Sequence, residues 1–443
     1  MKNMNIESQR ENYDVIVCGG GPAGISAALS ATRFGAKTLL VEQQFSLGGV
    51  ATGAYIYNFM DTPHGPIFKE IIEELYKFGA AKRKYEPDKH YKTGRIEFHP
   101  ETLKAIVIKM LREAKCDLLL GCLAESAFME DTIVKGIYLA HKGGRILIKA
   151  KNIIDCTADG DIATSAGAEY MKGDSKDGRL QHVNFNFRIE GVDWKLFEKQ
   201  KYSNEKLAGM FKDAVDSDKI HPPKDVFYPD AECFPFDKKQ SSFAISKWDI
   251  ENIDPTNPFQ VSDIIAQCQI AALELIKICR QNLLGFEKVA LSRFPTILGT
   301  RESRRIKGKY ILTGDDVISG RKFEDGIAKA AFFIDFHDSP PGITIPYTVA
   351  YKKKHSPPEG DYYEIPYRCL VPEKLDGLLV AGRCISATRE GIASMRVMPT
   401  CMFTGAAAGC AAALAAKKNI FPSEIADHGL INIIRKKMEI SND

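Results

Sequence analysis

Hydrophobic patterning is clearest in Tyr13–Glu42. The apolar run Val15–Cys18 predicts a buried strand, which enters the turn Gly19-Gly20-Gly21-Pro22-Ala23-Gly24. A small-residue helix follows from about Ala23 to Phe34, Gly35 closes it, and Lys37–Val41 predicts a second strand ending at Glu42. Ile67, Ile71, Leu75 and Phe78 repeat at helical spacing, as do Leu103, Ile106, Val107, Met110 and Leu111. Helices opening near Pro66 and Pro100 are expected. The period then changes. Asp117–Gly121, Thr132–Ala140, Arg145–Ala150 and Asn152–Cys156 read as strands, the middle two a hairpin about His141-Lys142-Gly143-Gly144.

The middle of the chain is polar from Gly173 to Gln240. Val183, Phe185, Phe187 and Ile189 alternate within Gln181–Glu190, which predicts a strand with one buried face. Residues 193–239 form an excursion without a clear element. Ile264, Ile265, Cys268, Ala272, Leu275, Ile278 and Cys279 predict a helix over Ser262–Leu284 that caps a sheet. Phe323–His337 and Ile343–Tyr351 read as short strands and turns around Pro340-Pro341-Gly342. An apolar strand returns at Leu375–Ala381, followed by Gly382-Arg383. Pro399 opens an Ala/Gly-rich helix to about Lys417, and 423–438 reads as a terminal amphipathic helix.

The first stretch has the parts of a nucleotide clamp. Gly19 can take the dihedrals of a tight turn, Gly21 lets a pyrophosphate approach the backbone, and Gly24 lets the helix sit close on the strand. Pro22 and Ala23 begin the helix, whose N-terminus offers N–H groups and a positive dipole end. Glu42 lies twenty-three residues after Gly19, where an acid that bonds ribose hydroxyls belongs. A carboxylate there repels a 2′-phosphate and argues against NADP. Gln43 and the loop Ser46-Leu47-Gly48-Gly49-Val50-Ala51-Thr52-Gly53 follow at once. A second flexible loop of this kind wraps the extended FAD better than NAD, so FAD is the expected cofactor. Asn152–Cys156 ends in Thr157-Ala158-Asp159-Gly160-Asp161, a second cofactor contact or a plain strand-to-helix turn capped by acids.

The expected fold class is therefore α/β: a Rossmann-like FAD-binding domain with a parallel sheet and a β-meander, plus an inserted mixed α+β substrate domain. The domain is expected in two pieces, 13–170 and 365–420. The substrate or cap domain occupies 171–364, the terminal helix 421–443, and residues 1–12 are expected to be a disordered tail.

Composition narrows the partners. A formal net charge of +3 over 443 residues is too balanced to suggest a nucleic-acid or membrane partner. The 11 cysteines include no C-x-x-C pair, so neither iron–sulfur clusters nor a metal site is expected. Thiols in apolar segments fit a reducing, cytoplasmic setting. The N-terminal residues lack a signal-peptide apolar region, and no run is read as a membrane span. Disulfide-reductase chemistry is disfavoured, because no cysteine lies between Cys18 and Cys116 and no second Gly-x-Gly-x-x-Gly occurs.

These motifs, with the tail LLVAGRCISATREGIASMRVMPTCMFTGAAAGCAAALA, make the chain resemble the bacterial FAD-dependent oxidoreductase family, relatives of the fumarate reductase and succinate dehydrogenase flavoproteins. Gly299-Thr300-Arg301-Glu302-Ser303-Arg304-Arg305 and Ile334-Asp335-Phe336-His337-Asp338 also look like family segments. The resemblance implies an FAD domain with a β-rich substrate domain. It implies that Gly382 and Arg383 lie by the ribityl chain, and that the helix after Pro399 points its N-terminus at the flavin, with Met398, Cys401 and Met402 nearby. For catalysis, His337 is the candidate for proton transfer, since imidazole titrates near neutral pH; a purely structural histidine is the alternative. Arg301, Arg304 and Arg396 are candidates for holding an anionic substrate, and Arg301–Arg305 can equally be an internal salt-bridge node. The expected reaction is hydride transfer between flavin N5 and a small polar metabolite, anionic or neutral. An enoate reductase of fumarate-reductase type and a non-catalytic FAD-binding protein are the alternatives. The substrate, the electron acceptor or donor and the oligomeric state are not legible.

Overall fold

The computed structural model describes residues 12–60, 62–84, 94–200, 204–223, 226–227, 232–237, 242–337 and 348–440. The expected tail over 1–12 (but for Asn12) and the turn Pro340-Pro341-Gly342 lie outside the described residues. The chain divides into two compact units. The first comprises Met1–Thr52, Tyr57–Asp177 and Arg304–Asp443; the second comprises Gly53–Ile56 and Gly178–Ser303.

The first unit is built on a parallel sheet. Strand Tyr13–Cys18 lies between Thr38–Glu42 and Gly144–Asp155, with Val17 opposite Leu40 on one side and Ile154 on the other. Asp117–Leu120 extends the sheet beyond Thr38–Glu42, and Leu378–Val380 pairs with the far side of Gly144–Asp155. Val15, Ile16 and Val17 are wholly buried, as strands covered on both faces must be. Leu123–Glu130 and Ile133–His141 add an antiparallel meander to the first half of Gly144–Asp155. This corrects the expectation of two separate strands, Arg145–Ala150 and Asn152–Cys156. One strand of 12 residues serves both sheets, antiparallel at its start and parallel at its end. The exposed Lys151 interrupts the apolar run without breaking the strand, because its side chain points to the outer face.

Helix Pro22–Arg33 packs on helix Met398–Lys418 with backbones almost touching. A Cβ on Gly405 would lie 2.1 Å from the Ala23 carbonyl oxygen, and one on Gly409 2.1 Å from that of Ala27. The two glycines are one turn apart, so the closeness is sustained along the contact. Met398–Lys418 is long and apolar enough to cross a membrane, contrary to the sequence reading, but it is buried inside this unit as a core helix.

Two boundaries differ from expectation. The second unit ends at Ser303 rather than 364, because Arg304–Ile306 pairs with Tyr170–Lys172 and Gly326–Ala330 pairs with Tyr363–Pro366, all within the first unit. The expected terminal helix over 423–438 is reduced to a short turn, Pro422–Glu424, and a helix at Ile431–Lys437. Gly429, at φ +65°, separates them.

The second unit is an antiparallel sheet. Val183–Glu190 runs between Ser242–Ile250 and Ala290–Arg293, and Ser242–Ile250 also pairs with Glu232–Asp237 and Val226–Phe227. Val183, Phe185, Phe187 and Ile189 form one core with Ile264, Cys268, Ala271 and Leu275 of the helix Pro258–Asn282. That helix begins four residues earlier than expected. The Asn257 side chain accepts from the amides of Phe259 and Gln260, and Pro258 suits the first turn. The excursion 193–239 contains helices Trp194–Gln200 and Asn204–Asp216.

Candidate cofactor and active site

The glycine loop sits where the first parallel strand meets its helix. Gly19 has φ +100°, and a Cβ there would lie 2.4 Å from the Cys156 carbonyl oxygen, so only glycine fits. At Gly24 a Cβ would lie 1.8 Å from the Gly19 carbonyl oxygen. Gly21 is different. Its backbone is ordinary extended chain, and a Cβ would meet only Gly49 Cα, at 3.9 Å. Glycine at this position is therefore not demanded by packing; it leaves a shallow cradle beside the start of a helix. The first turn of Pro22–Arg33 has amides without intrahelical acceptors, as every helix start does. These features fit the pyrophosphate of a dinucleotide.

The second loop closes on the first. The Gly48 amide donates to the Gly20 carbonyl at 2.8 Å, and Gly49 to Ala51 forms a short helical turn. Thr52 Oγ1 donates to the Leu47 carbonyl, tying Val50, Ala51 and Thr52 to the loop's start. Glu42 is buried. One carboxylate oxygen accepts the Gly20 amide at 2.6 Å and the other the Gln44 amide at 2.8 Å. Burial raises its pKa, while these amides oppose the rise. The acid thus braces the glycine loop. Gln43, beside it, is exposed.

The turn after Gly144–Asp155 holds a four-charge network. Arg383 donates to Asp159 at 2.7 Å. Arg304 donates through Nε to the Asp159 carbonyl at 2.8 Å and bonds the Asp161 carboxylate. Ala158 is held at φ +71°, a costly conformation for a residue with a Cβ. Asp155, missed as a site residue by sequence reasoning, holds the turn's shape. Its wholly buried carboxylate accepts from the Thr157 amide and hydroxyl and from the Ala163 amide. The signal available was an acid two residues before a threonine, a local turn-forming pattern. Burial and the neighbouring Asp159 push Asp161 up to about 6.

A continuous set of contacts leads from the clamp to the catalytic candidates. A Cβ on Gly382 would lie 2.8 Å from that of Ala23 and 3.9 Å from that of Cys401, and the Gly382 amide donates to Thr404 at 3.2 Å. Cys401 Sγ donates to the Arg396 carbonyl at 3.2 Å. The Arg396 guanidinium donates to the Asp335 carbonyl at 2.9 Å and lies 3.4 Å from its carboxylate. The same carboxylate oxygen lies 3.0 Å from His337 Nε2. Asp335 therefore links His337 to Arg396, and sequence reasoning had not singled it out. Met398 and Met402 are buried in the first two turns of Met398–Lys418. Burial pushes the Cys401 thiol up to about 12 and the thiols of Cys18, Cys156 and Cys384 well above their ordinary value. Such buried thiols stay protonated near neutral pH, which disfavours nucleophilic chemistry.

Of the other arginine candidates, Arg304 belongs to the acid-rich turn and Arg301 to the second unit. There Arg301 donates to the His182 carbonyl at 2.8 Å and to Asp249 at 2.9 Å. Both are engaged as internal nodes. Among the described residues no cluster of three or more His, Cys, Asp or Glu is placed to hold a metal ion.

A family model described as FAD dependent oxidoreductase matches residues 14–438. Among curated proteins, the chain is 28% identical over 152 residues to a thiamine thiazole synthase of Methanococcus vannielii, covering 32% of this chain and 55% of that protein. It is 26% identical over 186 residues to a dihydrolipoyl dehydrogenase of Rhizobium etli, covering 38% of this chain and 36% of that one. The matches thus span about half or less of these relatives. A solved structure of a geranylgeranyl bacteriochlorophyll reductase-like protein from Thermoplasma acidophilum aligns over 97% of this chain and 84% of its own, at 13% identity and a TM-score of 0.47.

Proposed function

This chain belongs to the FAD dependent oxidoreductase family, and from that premise we propose that its His337–Asp335–Arg396 cluster handles the proton and the charge of a small polar, anionic metabolite during oxidation or reduction. The observation that carries the reading is the shared Asp335 carboxylate, which engages His337 Nε2 and lies beside Arg396. FAD, when bound, supplies hydride transfer at N5.

The chain's own residues supply the rest. Gly21 and the start of Pro22–Arg33 receive the pyrophosphate, and Glu42 receives the ribose. Gly382, Arg383 and the N-terminal turn of Met398–Lys418 border the remainder of the cofactor; that helix end is positive and favours developing negative charge. Asp335 engages Nε2 of His337, and this carboxylate–imidazole pair is the group we assign to the proton. The carboxylate fixes the ring's orientation. His337 keeps partial exposure, enough for a substrate to reach it. Arg396 places a positive charge beside the same carboxylate, a position suited to an anionic substrate group. We assign Arg304 and Arg301 to holding the acid-rich turn and the strand end at His182, respectively. The free buried thiols support a cytoplasmic location.

Anaerobic bleaching of the flavin by a panel of polar metabolites tests the proposal. His337→Gln and Asp335→Asn are expected to retain FAD and to slow bleaching by about 100-fold or more. Unchanged bleaching rates in both variants would remove the cluster from the mechanism. A second reading, an enoate reductase akin to fumarate reductase, would use Arg396, 3.4 Å from the Asp335 carboxylate, as the proton donor in place of His337. Rapid reoxidation of the reduced flavin by an enoate, lost in Arg396→Met but kept in His337→Gln, would favour it.

A further inference from the structure

The helix Pro258–Asn282 buries one face in the second unit through Ile264, Cys268, Ala271, Ala272 and Leu275. Its opposite face carries large apolar side chains in solvent: Phe259 is 85% exposed, and Ile270 and Leu273 are 58% exposed each. They belong to a stripe in which intervals of four and three residues alternate: Phe259, Asp263, Ala266, Ile270, Leu273, Lys277 and Arg280, all exposed. That spacing is the seam of a two-helix contact, and 25 residues offer about 37 Å of it.

Charge selects the occupant and its direction. A parallel copy would set Asp263, Lys277 and Arg280 each against its own kind, three like-charge oppositions. An antiparallel copy does the reverse. The register that stacks Ile270 on the partner's Leu273 also sets Asp263 against the partner's Arg280 and Ala266 against the partner's Lys277, and it brings Phe259 to the end of the partner's helix. Leu284, just past the helix end, is 37% exposed. Apolar thus meets apolar at the centre, acid meets base toward each end, and the lysine lies over an alanine rather than a like charge. Two-fold symmetry makes every one of these pairs occur twice. Existing bonds do not remove the charged groups from the seam. Asp263 accepts from Gln267 at 2.7 Å and Arg280 donates through Nε to the Val289 carbonyl at 2.6 Å, yet both side chains stay exposed.

We propose that this chain associates with a second copy of itself through an antiparallel two-fold pairing of the helices Pro258–Asn282. Light scattering and sedimentation of the full chain over a concentration series test it. The wild type is expected at twice its 49.2 kDa mass at high concentration. Ile270→Glu is expected to weaken self-association about thirty-fold or more, the effect of a central interface residue. Asp263→Arg sets arginine against arginine, and Arg280→Asp sets aspartate against aspartate, so each variant alone is expected to be largely monomeric. Mixed in equal amounts they are expected to form the hetero-pair, because every new arginine then faces a new aspartate. A misfolded variant cannot produce that rescue. A wild type that stays monomeric up to about 100 μM overturns the proposal and leaves the stripe to another partner. A dimer indifferent to Ile270→Glu, or one that mixing does not restore, overturns the pairing as well.

Discussion

Gly21→Ala separates cofactor binding from folding. Gly21 precedes the helix with φ −74° and ψ −174°, a conformation any residue adopts. The added methyl would have Gly49 Cα, at 3.9 Å, as its only neighbour. The fold then changes little. Alanine is a poorer helix cap than glycine by about 0.5–1 kcal/mol, and the stiffer unfolded chain returns about 0.4–1 kcal/mol. The two nearly cancel. The cofactor meets the methyl in the cradle that the loop leaves open, and forcing such a group into a filled contact costs about 1–3 kcal/mol. That corresponds to FAD binding about 5–150-fold weaker. Gly24→Ala is the control with the opposite signature. Its methyl would lie 1.8 Å from the Gly19 carbonyl oxygen, so the backbone must shift before any ligand arrives. The assay is FAD titration of the apoprotein by fluorescence quenching, with thermal melting of the same samples without FAD. Wild-type affinity in Gly21→Ala with an unchanged melt would refute the assignment of this loop to the cofactor.

Two further predictions concern titration. Asp161 is raised from 3.8 to about 6 in the folded chain, so between those values the native state binds more protons than the unfolded state. Its contribution therefore falls as pH rises from about 4 to 6, and Asp161→Asn should flatten that part of a urea-midpoint profile; the exposure of the group keeps the effect small. A wild-type profile that Asp161→Asn leaves unaltered would show that the acid is not raised. Cys401, raised to about 12 by burial, stays a thiol at pH 8 and should resist iodoacetamide in the native protein. Mass spectrometry that finds Cys401 alkylated before unfolding would contradict its packing role.

The cofactor clamp was readable because its parts are local. Gly19, Gly21, Gly24 and Glu42 fall within one strand–helix–strand unit, where spacing along the chain is spacing in the fold. The small-residue helix at Pro399 was legible from its own composition, but its partner was hidden: Gly405 and Gly409 are glycine because Ala23 and Ala27 lie against them, nearly four hundred residues earlier in the chain. Strand counting failed where one strand joins two sheets, since a period of two does not say which edge is parallel.

The proposed catalytic cluster was half legible for a different reason. His337 stands out by its chemistry, and Arg396 by its place before the last long helix, but nothing in one dimension joins positions about sixty residues apart. Asp335 joins them, and an aspartate two residues from a histidine carries no periodic or motif signal of its own. The arginines show the converse. Arg301 and Arg304 are close neighbours in sequence and read as one basic group, yet they belong to different units and meet different acids, Asp249 and Asp161. A run of like charges is ambiguous until each member's counter-charge is known. Here the counter-charges of Arg301 and Arg304 make two structural anchors, and Arg396, whose acid also holds a histidine, is the arginine left for the proposed chemistry.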